Sequence, residues 1–384
     1  MAPDGRAVSE PAPYDAIVVG AGPAGSAAAA VLAGHGRRVL MIEKDRFPRP
    51  KVCGEFLSHD ARPALSRLGL LERVEATAER IDRGWVHLPD VGGVAFRLPQ
   101  PALGISRFSL DDLLARRAIE LGAEARFGAR VLSVEGAFSS GFRVRSLCDT
   151  QEDIAAARGV IGAWGRWDAL DRTLARRFLA RGTRFAGWSR DFQADASLAG
   201  QVHLYAFPGG YCGLSRVEGG VVNLAGVISE RTRGRLPGGW EAVVGHARRA
   251  NADLDRAVSA LKEGPTGFLG TGSVYFTAKP PVENGMLMVG DAAGVIDPFS
   301  GEGQAAALSS GILAGETLER GLSGEVSLES VPDLYAAAWR RAFSRRFGWS
   351  AAFRRLMLSP AAGSLAARLG GERLVRFAIG RLTS

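Results

Sequence analysis

The chain has 384 residues, 46% of them apolar, and its 48 basic and 40 acidic side chains leave a net charge of +8. That length suits two domains with real cores. No apolar run approaches the ~18 residues of a membrane span, and three scattered cysteines (Cys53, Cys148, Cys212) make neither a disulfide framework nor a zinc site.

Residues 1–13 are polar and proline-rich without an apolar h-region, so a disordered lead-in rather than a signal peptide is expected, in a reducing cytoplasm. Next, Ile17, Val18 and Val19 form the continuous apolar run of a strand buried on both faces. It breaks into Gly20-x-Gly22-x-x-Gly25, where Gly20 permits a tight turn, Gly22 admits a pyrophosphate and Gly25 lets a helix pack on the strand. Pro23 and Ala24 open that helix, expected over 23–34, with its amides aimed at the phosphates. A second strand, 38–42, ends in Glu43 and Lys44; Glu43 lies 18 residues after Gly25, where a ribose acceptor belongs. Strand, helix, strand and acid together specify dinucleotide binding.

Residues 45–57 read as irregular, becoming helical toward Leu71, and 83–98 as short strands. Ser109 is a candidate N-cap for the helix containing Leu110-Asp-Asp-Leu113. A hairpin is expected near 130–135 and 142–147, a short strand at 159–162, and three antiparallel strands within 201–228. Trp85, Phe96, Tyr205, Phe207 and Tyr211 fall on that antiparallel sheet, where an aromatic stripe can wall an apolar pocket. Met286–Val289 is a strand that ends at Gly290-Asp291, and a helix starts near Gly303. Asp291 can accept hydrogen bonds from a ribityl chain, and the Gly301-Glu302-Gly303 start can aim amides at a flavin N1/O2 edge. The second segment thus makes the dinucleotide FAD. In the basic end, Arg pairs at 340–341, 345–346 and 354–355 alternate with Trp339, Phe343, Phe347, Trp349 and Phe353, as in basic amphipathic helices. A solvated cover over the core, a peripheral contact with anionic lipid heads and a partner interface all fit them. No recognition motif for nucleic acid accompanies the charge.

The expected fold is α/β: a discontinuous Rossmann-like FAD domain (14–82, 106–182, 270–330), an inserted antiparallel substrate sheet (83–105, 183–269) and a helical end (331–384). No metal or hydrolase constellation emerges, so the chemistry is the cofactor's. Cys53 and Glu302 are the candidate catalytic residues, each with a plainer reading as a packed thiol or a helix-start acid.

These motifs resemble the geranylgeranyl-reductase-like branch of the FAD-dependent oxidoreductases with the aromatic-hydroxylase fold, and in particular flavoproteins found beside bacterial type III polyketide synthases. The matching segments are Gly20–Gly25 with Glu43, the loop 47–55, Arg107 with its helix, 207–213, and 290–303. The resemblance implies that Arg107 contacts the pyrophosphate or ribityl region and that Asp291 and Pro298–Gly303 hold the ribityl chain and isoalloxazine. It also implies that the Lys51–Glu55 loop, with Lys51 and Cys53, borders the flavin. Where such proteins carry Ala-Asp-Gly, this chain has Ala163-Trp164-Gly165, which puts direct use of NAD(P)H in question. The Trp-x-Trp-x-Ile-Pro signature of flavin halogenases is missing. Three functions follow: hydride exchange with a C–C bond of a hydrophobic isoprenoid or polyketide-like molecule; hydroxylation through a C4a-hydroperoxide; or a non-catalytic, flavin-binding electron carrier.

Overall fold

A computed structural model describes residues 13–357 apart from 90, 182–184 and 265. The expected lead-in and the basic segment after 357 lie outside the described residues.

Among the described residues, two eight-stranded sheets organise the fold. The first has a parallel centre in the order Met286–Met288, Gln151–Gly162, Tyr14–Val19, Val39–Glu43, Glu124–Phe127. Its strands are buried on both faces, which is why Ile17, Val18, Leu40 and Ile161 follow one another without polar interruption. Gln151–Gly162 has two characters in one strand. Its exposed start and the alternating stretch 155–158 belong to a hairpin sheet with Ala129–Ala137 and Gly141–Cys148, and its last four residues are continuously buried beside Tyr14–Val19.

The second sheet runs Leu269–Val274, Phe185–Phe192, Val222–Ser229, Gly210–Arg216, Gln201–Phe207, Glu79–Leu88, Gly92–Gly104, Phe56–Leu57. It takes in more chain than the expected 83–105 and 183–269. Glu79 already pairs with Gly104, Phe56 with Gly104 from the other side, and the strand ending at Val274 completes the far edge. Helices Trp240–Ala250 and Ala252–Ser259 cover one face over Trp188, Tyr205, Phe207 and Leu224.

The region expected to be helical toward Leu71 is a short strand, a 3-10 turn and two brief helices, Arg62–Arg67 and Leu71–Thr77. The helix Arg107–Glu120 is capped by Ser106, not Ser109: the Ser106 hydroxyl accepts from Ser109 N at 3.1 Å. The basic segment begins as one helix, Val331–Met357, whose Trp339 and Phe343 are buried against the first core.

Candidate functional site

The two glycine segments, far apart in sequence, meet at the C-terminal edge of the parallel sheet. Gly20 N donates to Ile42 O at 2.8 Å, Ala163 N to Val19 O at 2.8 Å and Val289 N to Gly162 O at 3.0 Å, so three strand ends line up side by side. This is the edge where open α/β sheets bind ligands. Gly20 has φ +107°, and a Cβ there would lie 2.5 Å from Ala163 O. The helices Pro23–Gly34 and Gly303–Leu322 cross closely because Gly311 faces Ala24; a Cβ on Gly311 would stand 2.1 Å from Ala24 O. Gly290 likewise packs on Ala24, its own Cβ position 2.9 Å from the Ala24 methyl.

From this edge a groove opens in two parts. A narrow cleft is lined by Gly20, Gly22, Glu43, Lys44, Lys51 and Trp164. Glu43 is buried, with Oε2 accepting from Ala21 N at 2.8 Å and Oε1 from Asp45 N at 3.0 Å. Each carboxylate oxygen keeps acceptor capacity for a ribose hydroxyl. Lys44 Nζ sits 2.7 Å from Asp168 Oδ2, so its charge is shared with that acid. Beyond the cleft stands Arg107, buried and clamped by Asp111 through Nε–Oδ1 at 2.6 Å and Nη2–Oδ2 at 2.7 Å. Its Nη2 is 3.9 Å from the Cβ position of Gly22, with nothing nearer.

Lys51, Arg49, Arg107 and Arg166 crowd this stretch. The Lys51 ammonium, stripped of water by the packing around it and facing Arg107 and Arg49, is pushed down to about 8. Such mutual repulsion is relieved by a polyanion, and a pyrophosphate fits it. On the far side Gly301 has φ +68°, Gly303 opens its helix with free space at its Cβ position, and Asp291 is partly exposed with Oδ2 3.8 Å from Arg166 Nε. Open amides at a helix start, a cationic stretch and an acid at the far end of a strand are the donor set an FAD requires.

A pH dependence follows. Pyrophosphate contact would restore the Lys51 proton, so FAD binding takes up a proton once pH passes about 8. Affinity is then expected to fall by up to about tenfold per pH unit above that point. Fluorescence titrations from pH 7 to 9.5 check this, with Lys51→Gln expected to flatten the slope. In the apoprotein Lys51 and Lys279, both pushed down to about 8 chiefly by burial, bind fewer protons folded than unfolded up to their ordinary 10.5. Stability therefore rises with pH across that window.

The second part is a cavity of about 280 Å³ between the loops 52–54 and 298–301 and the second sheet. Phe56, Phe96, Leu98, Leu204, Val227 and Phe299 make it apolar, and Gly187, Gly213 and Ala225 give it a flat floor. Cys53 borders it, its Sγ accepting from Glu55 N and Gln304 Nε2, each at 3.4 Å. Neighbouring Glu55 holds φ +54° and accepts from Arg107 N at 2.9 Å; burial raises its carboxyl to about 8. Tyr211 also lines the cavity, its hydroxyl engaged by Asp297 and by Phe299 N.

Tyr205 and Phe207 do not belong to the cavity wall. Odd positions of Gln201–Phe207 face the covering helices, where Tyr205 stacks on His87 at 4.4 Å and Phe207 meets His246. Trp85 lies on that side too, stacked on His203 at 4.8 Å. Glu302 is buried outside the cavity lining, its Oε1 3.8 Å from Arg346 Nη1 of the C-terminal helix. That placement favours a helix-start acid over a proton donor to a molecule in the cavity.

Trp164 is fixed rather than mobile in the cleft. Its Nε1 donates to buried Asp171 Oδ1 at 2.9 Å, and the same carboxylate takes Asp168 N and the fully buried Arg176. Asp111, Asp171, Arg49 and Arg166 were not legible as site residues. Only Asp111 had a signal, its i+4 spacing from Arg107 on one helix face.

The groove and the parallel sheet define an FAD-dependent oxidoreductase. Residues 13–203 match the family described as FAD binding domain. The chain is 31% identical to the menaquinone reductase of Mycobacterium tuberculosis over 327 residues, which cover 79% of this chain and 76% of that protein. It is 28% identical to the digeranylgeranylglycerophospholipid reductase of Methanosarcina acetivorans over 358 residues, 85% of this chain and 80% of the other. A solved myxobacterial chondrochloren halogenase shares the fold at TM-score 0.78 and 20% identity, covering 97% of this chain and 98% of its own. The chain belongs to the FAD binding domain family, in its geranylgeranyl-reductase-like branch.

Proposed function

We propose that the protein reduces, or introduces, a C–C double bond in a hydrophobic small molecule of isoprenoid or polyketide type. The carrying observation is the cavity: it joins the flavin-edge loop to the antiparallel sheet, and its walls are mainly hydrocarbon and glycine, with polar side chains at one end. FAD bound in the groove supplies hydride exchange with a C–C bond. The chain's part is to hold the substrate flat over Gly187, Gly213 and Ala225, to keep water out with Phe56, Phe96 and Phe299, and to fix the loop 298–301. That loop is fixed by Tyr211 and by Arg354, whose Nη1 lies 3.3 Å from Asp297 Oδ2. The relatives named for reduction of menaquinone and of a digeranylgeranyl lipid favour reduction over oxygenation. Trp164, locked at the cleft in place of an acid, favours an electron donor other than a nicotinamide docking there. The exposed Arg340, Arg341 and Arg345 suit delivery of the substrate from an anionic lipid surface.

The test is anaerobic. Holoprotein reduced with dithionite and mixed with geranylgeraniol should reoxidise its flavin and return a product heavier by two hydrogens. Reoxidation only on admitting air, with one oxygen atom added to an aromatic or enolic substrate, would replace this reading with hydroxylation.

A further inference from the structure

We infer that the Ser58–Asp60 turn is the polar end of the substrate cavity, built for the neutral hydroxyl of an otherwise apolar molecule, and that it rejects phosphate or carboxylate heads. This rests on the cavity being the substrate site, as proposed above. Ser58, His59 and Asp60 line it where the short strand Phe56–Leu57 gives way to a 3-10 turn. Three of their polar atoms, Ser58 Oγ, His59 Nδ1 and Asp60 Oδ2, are shut off from bulk water and have no hydrogen-bond partner among the described residues. Ser58 is 6% exposed and, although it precedes the turn as its N-cap, its side chain makes no cap bond.

Buried polar atoms are normally paired, and each left unpaired costs about 1–3 kcal/mol. Three in consecutive residues on the wall of one cavity are too many for packing accident, and no buried ion pair absorbs the Asp60 charge among the described residues. The chemistry of the set selects the ligand. A carboxylate oxygen only accepts, a hydroxyl both gives and accepts, and a ring nitrogen does one or the other according to tautomer. A ligand hydroxyl, phenolic or alcoholic, can donate to Asp60 and accept from Ser58. A fully ionised carboxylate or phosphate head cannot donate, and any anionic head meets the Asp60 charge in a poorly hydrated corner. The cationic side chain lining the cavity, Arg166, is committed to Val52 O at 3.0 Å and to Asp291, at the flavin side. At the Ser58 end the imidazole of His59 faces the Asp60 carboxylate's corner, and no Lys or Arg lines the cavity there among the described residues.

The test measures binding, not turnover, so that it stands apart from the reaction proposed above. Oxidised holoprotein is titrated with two matched sets, followed by the flavin difference spectrum: farnesol, farnesene and farnesyl phosphate; and 2-naphthol, naphthalene and 2-naphthoate. The alcohol or phenol should bind at least about tenfold tighter than its hydrocarbon and its anion, the usual strength of a charge-assisted hydrogen bond. Asp60→Asn should shrink that preference to less than about threefold, with FAD content and Tm unchanged, and Ser58→Ala should weaken it less. Anions binding as well as alcohols, an unchanged preference in Asp60→Asn, or no spectral change with any of the six would overturn the inference. If the ordering holds but no C–C bond is reduced, the corner stands and the proposed reaction falls.

Discussion

Arg107→Ala is expected to purify colourless. Arg107 and Asp111 are both buried and share two short hydrogen bonds, so removing the guanidinium leaves a buried carboxylate with Arg49 at 3.4 Å as its remaining hydrogen-bond partner among the described residues. Breaking one side of such a pair costs about 3–5 kcal/mol. It also deletes the cation nearest Gly22, where the pyrophosphate would cross from the cleft to the cavity. FAD affinity should drop at least about 100-fold, which corresponds to losing two charge-assisted bonds. Arg107→Lys keeps the charge but not the forked geometry, and should bind FAD weakly while folding well. Absorbance at the flavin bands against protein concentration decides it: stoichiometric flavin in Arg107→Ala would remove Arg107 from the site.

Ala225→Phe is expected to keep its flavin and lose its substrate. Ala225 lies on the cavity floor, across the ladder from Gly213, and its side chain faces the cavity rather than the helices. A phenyl ring there takes a large share of about 280 Å³ of space. Because it grows into a void, the cost to folding should stay near the ~1 kcal/mol low end for added bulk, while kcat/KM falls at least about 100-fold, or ~2.7 kcal/mol in transition-state binding. Gly226 is no substitute for this experiment. A Cβ there would stand 2.7 Å from the Trp188 ring, so any change breaks the sheet itself. Unchanged turnover in Ala225→Phe would mean the reacting molecule lies elsewhere.

The cofactor half of the molecule was readable because its chemistry leaves few choices. Gly20 needs positive φ, Gly25 needs contact with Gly20 O, and Glu43 must end the next strand; each demand shows as a residue type at fixed spacing. The substrate half was not. Its sheet is covered on both faces, by helices on one side and by the cavity and flavin loops on the other, so apolar residues occupy odd and even positions alike. Period-two alternation then cannot tell which face is which: Tyr205 and Phe207 lie on the helix-covered face, Tyr211 on the cavity face. Ser106 and Ser109 illustrate a smaller ambiguity: both are good N-caps, and Glu218 accepts from Ser106 N at 2.8 Å and from both hydroxyls, a tertiary contact the local sequence does not announce. Asp171 was silent in the sequence because its bond from the Trp164 indole, seven residues before it, follows no recurring spacing.

The most direct test of the central claim is a crystal structure of the protein with FAD. The pyrophosphate should lie between Gly22 and Arg107, the adenosine ribose at Glu43, and the isoalloxazine at the mouth of the cavity, against Pro298–Gly301 with Cys53 beside it, leaving the cavity itself to the substrate. A flavin ring away from Pro298–Gly301, or a dinucleotide that contacts one glycine segment and not the other, would contradict it.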